Sequence, residues 1–272
     1  VRLLEPGLRF EARAQRLERL SLGHAAGAWL RLLARISAGQ RAAVRAVHVP
    51  EARACAEGPP LDRERLPRDS TWRLMLAEVL SGASTPELPA EALAAICRLD
   101  AADVAHLEAL ATLHLAGRIP RAELATVPFV GAALQAWFGA LAVRLEPMAT
   151  LGAGGSCPVC GAPPVAAVVD GTTRLRWVTC SLCGAEWNVR RVSCVACDAD
   201  ARLAYFHVDG EDGAEAEACE GCGGYLKLFD LERRPGVEPM ADDAATLALD
   251  LLMADEGFWR LGPSPLLAVA DA

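Results

Sequence analysis

Eight of the ten cysteines in this 272-residue chain come as four Cys-x-x-Cys pairs: Cys157/Cys160, Cys180/Cys183, Cys194/Cys197 and Cys219/Cys222. Nineteen residues separate the first two pairs, 21 separate the last two, and only ten, "GAEWNVRRVS", lie between the two quartets. The similar spacing predicts two related units in tandem. Two residues between cysteines let both sulfurs of a tight turn face one ion, and a second pair returned by a hairpin completes a tetrahedron. Gly161, Gly184 and Gly223 follow the second cysteine of their pairs. Glycine there tolerates a positive φ, so that backbone N–H groups turn toward the thiolates. Those donors matter because four thiolates around a divalent ion leave a net negative charge. Asp198 holds the equivalent place in the third pair, and aspartate enters the left-handed region more readily than most residues.

Other chemistries fit the pattern less well. Disulfides belong to secreted chains, and the start, "VRLLEPGLRFEARAQRLERL", has no apolar signal-peptide stretch. The expected location is therefore cytoplasmic. Thioredoxin-like chemistry needs a Cys-x-x-Cys that opens a helix, whereas "CGAEWNV" runs into strand-like sequence. Iron–sulfur clusters usually crowd three cysteines together instead of forming two matched pairs. Mononuclear tetrathiolate sites remain, and the spacing leaves zinc and iron both open. Zinc would make the units purely structural; iron would make them redox-capable.

The elements that must carry these sites differ on either side of the glycine-rich "LGAGGS" at 151–156. Before it the chain reads as helices. Trp29, Leu32, Leu33, Ile36, Gln40, Ala43, Val44 and Val47 recur at helical spacing. "DSTWRLMLAEVLSG" predicts a helix with Ser70 as N-cap, an apolar face of Trp72, Met75, Leu76, Val79 and Leu80, and Gly82 as its stop. Another face joins Val104, Leu107, Ala111 and His114, with Gly117 at its end. The uncharged "VPFVGAALQAWFGALAV", Val127 to Val143, is short and interrupted by Pro128, Gly131, Gln135 and Gly139. It predicts a buried core helix and not a membrane span.

After the break come short β-type runs, "VAAVVD", "TRLRWVTC", "EWNVRRVSC" and "LAYFHVD", then an acidic loop, "DGEDGAEAEACE". One further helix follows, with Asp242 and Asp243 at its start, Ala244, Leu247, Ala248, Leu251 and Leu252 as its apolar face, and Gly257 as its end. The expected fold is thus α+β. Its parts are a helical domain over 1–153, a first rubredoxin-like, zinc-ribbon-type unit over 154–190, a second over 191–237, and a C-terminal helix and tail over 238–272.

Hydrophobic residues make up 53% of the chain, enough for a core. Residues 1–150 carry 18 Arg against 16 Asp and Glu, whereas 151–272 carry 9 Lys and Arg against 19 acidic residues. The cysteine-rich part therefore repels phosphate backbones. Arg174, Arg176, Arg190 and Arg191 offer little basic surface against that balance. Lys227, the only lysine, lies five residues past Cys222, where it offsets thiolate charge, meets a partner or is simply exposed. Cys97 reads as a small buried hydrophobe. His114 reads as a core histidine and His24 as a bond to the end of the strongest helix. His106 and His207 have no evident catalytic neighbour, so no catalytic constellation is expected.

The combined pattern resembles the FdhE family, accessory proteins for formate dehydrogenase. "RAQRLERLSLGHAAGAWLRLLARISAGQ" is similar to the family's first helices, and "CPVCGAPPV", "TCSLCGAEWNVRRVSCVAC" and "CEGCGGYLKLF" to its double metal-binding module. "VEPMADDAATLALDLLMADEGF" is similar to its C-terminal signature. Ser264 to Leu267, "SPLL", departs from an expected Asn-Pro-Phe-Leu, and Asn188 stands where the family often has His. The resemblance implies a cytoplasmic, non-catalytic factor that assists maturation of respiratory formate dehydrogenase by contacting its catalytic subunit before export. Nucleic-acid binding is disfavoured by the charge balance and membrane insertion by the interrupted apolar run, independently of the resemblance. The resemblance also implies iron, one mononuclear ion per quartet, with Cys157, Cys160, Cys180 and Cys183 as one ligand set and Cys194, Cys197, Cys219 and Cys222 as the other. The helix "ADDAATLALDLL" and the strand "EWNVRR" are candidate partner contacts. Other function classes for such a module are a rubredoxin-like electron carrier and a nucleic-acid-binding zinc ribbon.

Overall fold

Alanine-rich and leucine-rich stretches build helices α1 (Pro6–Ser21), α2 (Gly27–Ala46), α3 (Thr71–Ala83), α4 (Ala90–Asp100), α5 (Val104–Leu115) and α6 (Val127–Ala142), with a 3₁₀ turn over Arg121–Thr126. This is a computed structural model, and it describes residues 1–51, 54–145, 155–198, 202–262 and 264–267. Helices α1, α2, α3 and α6 pack on one another. Every residue of α6 except Ala140 is buried, so the uncharged segment is the core helix expected from its apolar character all round.

Helix α3 buries Trp72, Met75, Leu76, Val79 and Leu80, as its periodicity predicts. Its ends differ from expectation. The Ser70 side chain makes no capping bond, and Asp69 Oδ1 instead accepts from Thr71 N at 2.8 Å. Gly82 lies inside the helix, where an added Cβ would sit 2.8 Å from Gly39 Cα of α2. That glycine lets two helices touch; it does not stop one. Helix α5 turns Leu110, Ala111 and Leu115 inward while Val104 is exposed, and Gly117, at φ 68°, closes it as expected.

The cysteine-rich part folds into β1 (Pro164–Val169), β2 (Arg176–Cys180), β3 (Glu186–Val189), β4 (Leu203–Phe206), β5 (Ala214–Cys219), β6 (Gly224–Asp230) and β7 (Trp259–Arg260). The two units are not separate beads. Their strands form one sheet in the order β3-β2-β1-β6-β5-β4, joined by parallel pairing of β1 with β6, while β7 adds to β6. Each unit contributes three antiparallel strands in the same sequence, so the second repeats the first by translation along the sheet. Arg176 on β2 reaches across the joint to Glu217 on β5 at 2.5 Å, both buried. The outer edge of β3 is paired with the chain's start, where Arg2 N donates to Glu186 O at 2.7 Å and Glu186 N to Arg2 O at 2.9 Å. This single bridge covers the start of that sheet edge.

Half of the "DGEDGAEAEACE" segment, expected as a loop, is strand β5. Its alternation is real, since Ala214, Ala216 and Ala218 pair with Phe229, Lys227 and Tyr225 on one face, leaving Glu215 and Glu217 on the other. The single C-terminal helix is also corrected. Two short helices, α7 (Pro239–Ala245) and α8 (Leu247–Asp255), meet at Thr246, whose φ of −108° and ψ of 42° break the run. The buried face is Ala244, Ala245, Leu249 and Met253, whereas Leu251 and Ala248 are exposed. Helix α7 packs on α1 and β1, and α8 on β5 and β7, so "ADDAATLALDLL" lies between the helical part and the sheet. The expected division between helical domain and first unit, at 153/154, lies outside the described residues.

Candidate metal centres

The cysteine turns are knuckles between strand ends. Cys157 and Cys160 precede β1 and face Cys180 and Cys183 at the end of β2; Cys194 and Cys197 precede β4 and face Cys219 and Cys222 between β5 and β6. In each quartet all four Sγ atoms lie within 4.8 Å of one another. In the first centre Cys157 and Cys183 Sγ are 3.6 Å apart, and Cys160 and Cys180 Sγ 3.4 Å. The matching distances in the second are 3.7 Å for Cys194–Cys222 and 3.8 Å for Cys197–Cys219.

Local backbone geometry explains how the sequence achieves this. The residue after each pair has a positive φ: 73° at Gly161, 72° at Gly184, 53° at Asp198 and 72° at Gly223. Three of the turns close by a bond to the first cysteine's carbonyl: Gly161 N to Cys157 O at 2.8 Å, Asp198 N to Cys194 O at 3.0 Å, and Gly223 N to Cys219 O at 2.8 Å. Backbone donors then face sulfur. Val159 N donates to Cys157 Sγ at 3.4 Å and Leu182 N to Cys180 Sγ at 3.3 Å. The N–H groups of Ala196 and Cys197 face Cys194, and those of Gly221 and Cys222 face Cys219.

This donor set fits a small thiophilic cation. Zinc–thiolate bonds of about 2.3 Å imply a tetrahedral edge of about 3.8 Å, and the cross-knuckle distances fall at or slightly inside it. All-sulfur tetrahedra suit zinc and iron and do not suit magnesium or calcium, which take oxygen. Four thiols this close also compete for protons. Burial raises Cys160 and Cys183 well above the ordinary thiol range, whereas Cys180, against its own burial, is held well below it by hydrogen bonds from its three neighbours. In the second centre burial pushes Cys194 up to about 12, while Cys219 is lowered by the N–H groups that face it despite its own desolvation.

The two centres have very different surroundings. The first is enclosed by the helical part of the chain. Leu61 N donates to Val159 O at 2.9 Å and Arg63 N to Cys160 O at 3.0 Å, strapping a loop across the first knuckle. On the second knuckle, Gln135 Nε2 of α6 donates to Ser181 O and Arg9 Nη1 of α1 to Cys183 O, both at 2.7 Å. Arg9 is buried, lowered to about 10 by desolvation and by Arg13, and so still cationic at neutral pH beside the first centre. Arg13 continues this chain of contacts, bonding Gln135 Oε1 at 3.1 Å and Glu238 Oε1 at 3.0 Å. All four cysteines here are at most 1% exposed.

The second centre is half open, with Cys194 and Cys219 buried. Cys197 is exposed and Cys222 half-buried. Its cover includes Trp259, itself 52% exposed, whose Nε1 donates to Cys222 O at 2.9 Å. Arg190, itself exposed, donates to Asp198 O at 2.9 Å.

Sequence reasoning did not single out Arg9, the Leu61–Arg63 strap or Trp259. Gln135 was visible as a polar interruption in an apolar helix, which is a usable signal for a buried polar contact. Lys227 is not exposed, and the partners of its ammonium are carboxylates and a carbonyl. Its Nζ is fully buried, 2.7 Å from Asp250 Oδ2 and 3.2 Å from Asp243 Oδ1, pinning α7 and α8 to β6. The surface arginines are similarly engaged, Arg174 with Asp230 and Glu232 at 3.3 Å and Arg190 with Asp198 at 2.6 Å. Asn188 Nδ2 bonds Arg176 O at 2.8 Å, and Ser264 Oγ lies 3.7 Å from Met240 Sδ. His24 does cap its helix: Nδ1 accepts from Ala26 N at 3.0 Å, which leaves Nε2 protonated to donate to Ala245 O at 2.9 Å. Cys97, expected in the core, is exposed, because it lies on the outer side of α4.

Known proteins match along this whole architecture. The description "FdhE, N-terminal" matches residues 1–152, "FdhE, central domain" 156–191 and "FdhE, C-terminal domain" 192–267. A Protein FdhE homolog of Pseudomonas putida is 40% identical over 95% of this chain and 87% of its own length. A Protein FdhE of Escherichia coli O127:H6 is 36% identical over 97% and 90%. The crystal structure of the FdhE protein from Pseudomonas aeruginosa superposes over all of both chains with a TM-score of 0.86 at 34% identity. From its first helix to its last strand, the chain belongs to the FdhE family.

Proposed function

We propose that this chain is a non-catalytic accessory factor for maturation of formate dehydrogenase, acting in the cytoplasm by binding that enzyme's catalytic subunit. In this reading Cys157, Cys160, Cys180 and Cys183 hold one mononuclear ion and Cys194, Cys197, Cys219 and Cys222 a second. Iron is the proposed occupant and zinc the alternative. The observation that carries it is the pairing of full-length FdhE similarity with two four-sulfur clusters on one continuous sheet. When bound, the ions supply rigid cross-links and, if iron, a one-electron couple. The protein's own residues align the knuckles, compensate thiolate charge through backbone N–H groups and Arg9, and fix the sheet beneath α7 and α8.

The test is genetic and biochemical together. In cells lacking their own FdhE protein, the chain should restore active formate dehydrogenase and retain its catalytic subunit in an anaerobic pull-down. Cys→Ser variants in either quartet should lose one ion and reduce that activity. Full restoration by variants free of both ions would contradict a functional role for the sites.

A rubredoxin-like electron carrier is the second reading, favoured by one observation: an exposed Cys197 brings a ligand sulfur to solvent. It requires visible iron–thiolate absorption that a reductant bleaches. Colourless protein with two zinc ions would exclude it.

A further inference from the structure

We infer that the two centres divide their labour: the second is the solvent-exchanging centre, at which Cys197 and Cys222 trade ligation with outside thiols and chelators, and the first is a sealed structural rivet. This rests on the metal-ligand reading above and goes beyond it, since identical cysteine spacing gives no reason for the two quartets to differ.

The difference arises from position in a translational repeat. In the order β3-β2-β1-β6-β5-β4, the first unit's knuckles meet α1, α6 and the Leu61–Arg63 strap, whereas among the described residues the second unit's first knuckle meets Gly155 and no hydrogen bond from those elements. To reach any sulfur of the first centre, a reagent must wait for the Gln135 and Arg9 bonds and the strap to open together. Such openings are local unfolding events with their own free-energy cost. Cys197 needs no opening, and Cys222 is half-buried, with the half-exposed Trp259 bonded to its carbonyl. The charge arrangement agrees. The first centre has a buried guanidinium against its knuckle, whereas the guanidinium beside the second, that of Arg190, is exposed, and exposed Glu220 lies within a knuckle of that centre.

The test uses the full chain, purified anaerobically and loaded with zinc. Excess 4-(2-pyridylazo)resorcinol reads zinc release, and iodoacetamide followed by peptide mapping reads thiol access. In the labelling step the cysteine sulfur displaces iodide, forming a C–S bond as the C–I bond breaks. Exposed Cys97 serves as the internal reference. Two release phases of one equivalent each are expected, at least about tenfold apart in rate because only the slow one waits on local opening. Cys197 and Cys222 should be labelled during the fast phase, and the other quartet only in the slow one. Cys197→Ser should abolish the fast phase alone. Trp259→Ala should accelerate it without touching the slow phase, and keeps the test open if the cysteine variant misfolds. A single phase, or labelling of Cys157, Cys160, Cys180 and Cys183 together with Cys197, would overturn the division while leaving metal binding intact. Retention of no zinc at all would overturn the metal-site reading and this inference with it.

Discussion

Replacing Lys227 by methionine removes one charge from a buried quartet that is otherwise neutral. Lys227 Nζ lies 2.7 Å from Asp250 Oδ2, 3.2 Å from Asp243 Oδ1 and 2.9 Å from Asp243 O. Arg260 holds the same two carboxylates, with Nη1 3.2 Å from Asp250 Oδ1 and Nη2 against Asp243. Two cations thus balance two anions, and Asp243 is entirely buried. Methionine matches the length of the aliphatic stem but leaves one anion uncompensated. Breaking one partner out of a buried pair costs about 3–5 kcal/mol. For a chain of 272 residues, that corresponds to a fall in Tm of about 5–9 °C. Thermal unfolding of the ion-loaded protein measures it. The double variant Lys227→Met/Asp250→Asn restores neutrality and should recover at least half of the loss. A single variant within about 1 kcal/mol of the parent, or a double variant no better than the single, would refute the assignment of Lys227 as a charge-balancing pin.

Other outcomes are equally definite. Gly184→Ala forces a positive φ on alanine and places its Cβ 1.4 Å from Arg9 Nη1, so it should both destabilise the chain by about 2 kcal/mol or more and release the ion of the first centre. Gly161→Ala, whose nearest neighbour is Pro59 at 3.4 Å, should show only the φ cost of about 1–2 kcal/mol; equal effects at the two positions, by Tm and metal analysis, would contradict the Arg9 clamp. Burial lowers His114 from 6.5 to about 4. The unfolded chain therefore binds an extra proton between those values, and stability present above pH 6.5 drains away as pH falls, by about 2 kcal/mol at pH 5. His114→Leu should remove that part of the acid sensitivity, and identical pH slopes in urea titrations of the two proteins would refute it. Gln135→Leu keeps the volume of α6 but abandons Ser181 O, Gln40 and Arg13, and should cost about 1–3 kcal/mol in the same assay.

What the sequence reveals here is what local geometry determines. The knuckles are legible because each is a four-residue turn whose positive φ selects Gly161, Gly184 and Gly223 and tolerates Asp198. Helix α6 is legible because apolarity on every side admits only burial. The parallel joint between β1 and β6 is not, since it depends on strands from different repeats and no turn dictates it. Strand β5 escaped notice because its buried positions are alanines, too small to announce a strand beside Glu215 and Glu217. Lys227 misled for a related reason. A lone lysine among acidic residues suggests a surface, and only the return of Asp243 and Asp250 on the two C-terminal helices gives it a buried partner set. The unequal burial of the centres follows from the same long-range packing, which matched cysteine spacing cannot encode.

The most direct measurement is the metal content of anaerobically purified chain, determined by elemental analysis against protein concentration. Two equivalents of iron or zinc per chain are expected, falling to one with Cys157→Ser or with Cys194→Ser and to none when both are changed, as a two-centre fold requires. A reduced, folded chain that carries no metal would contradict it.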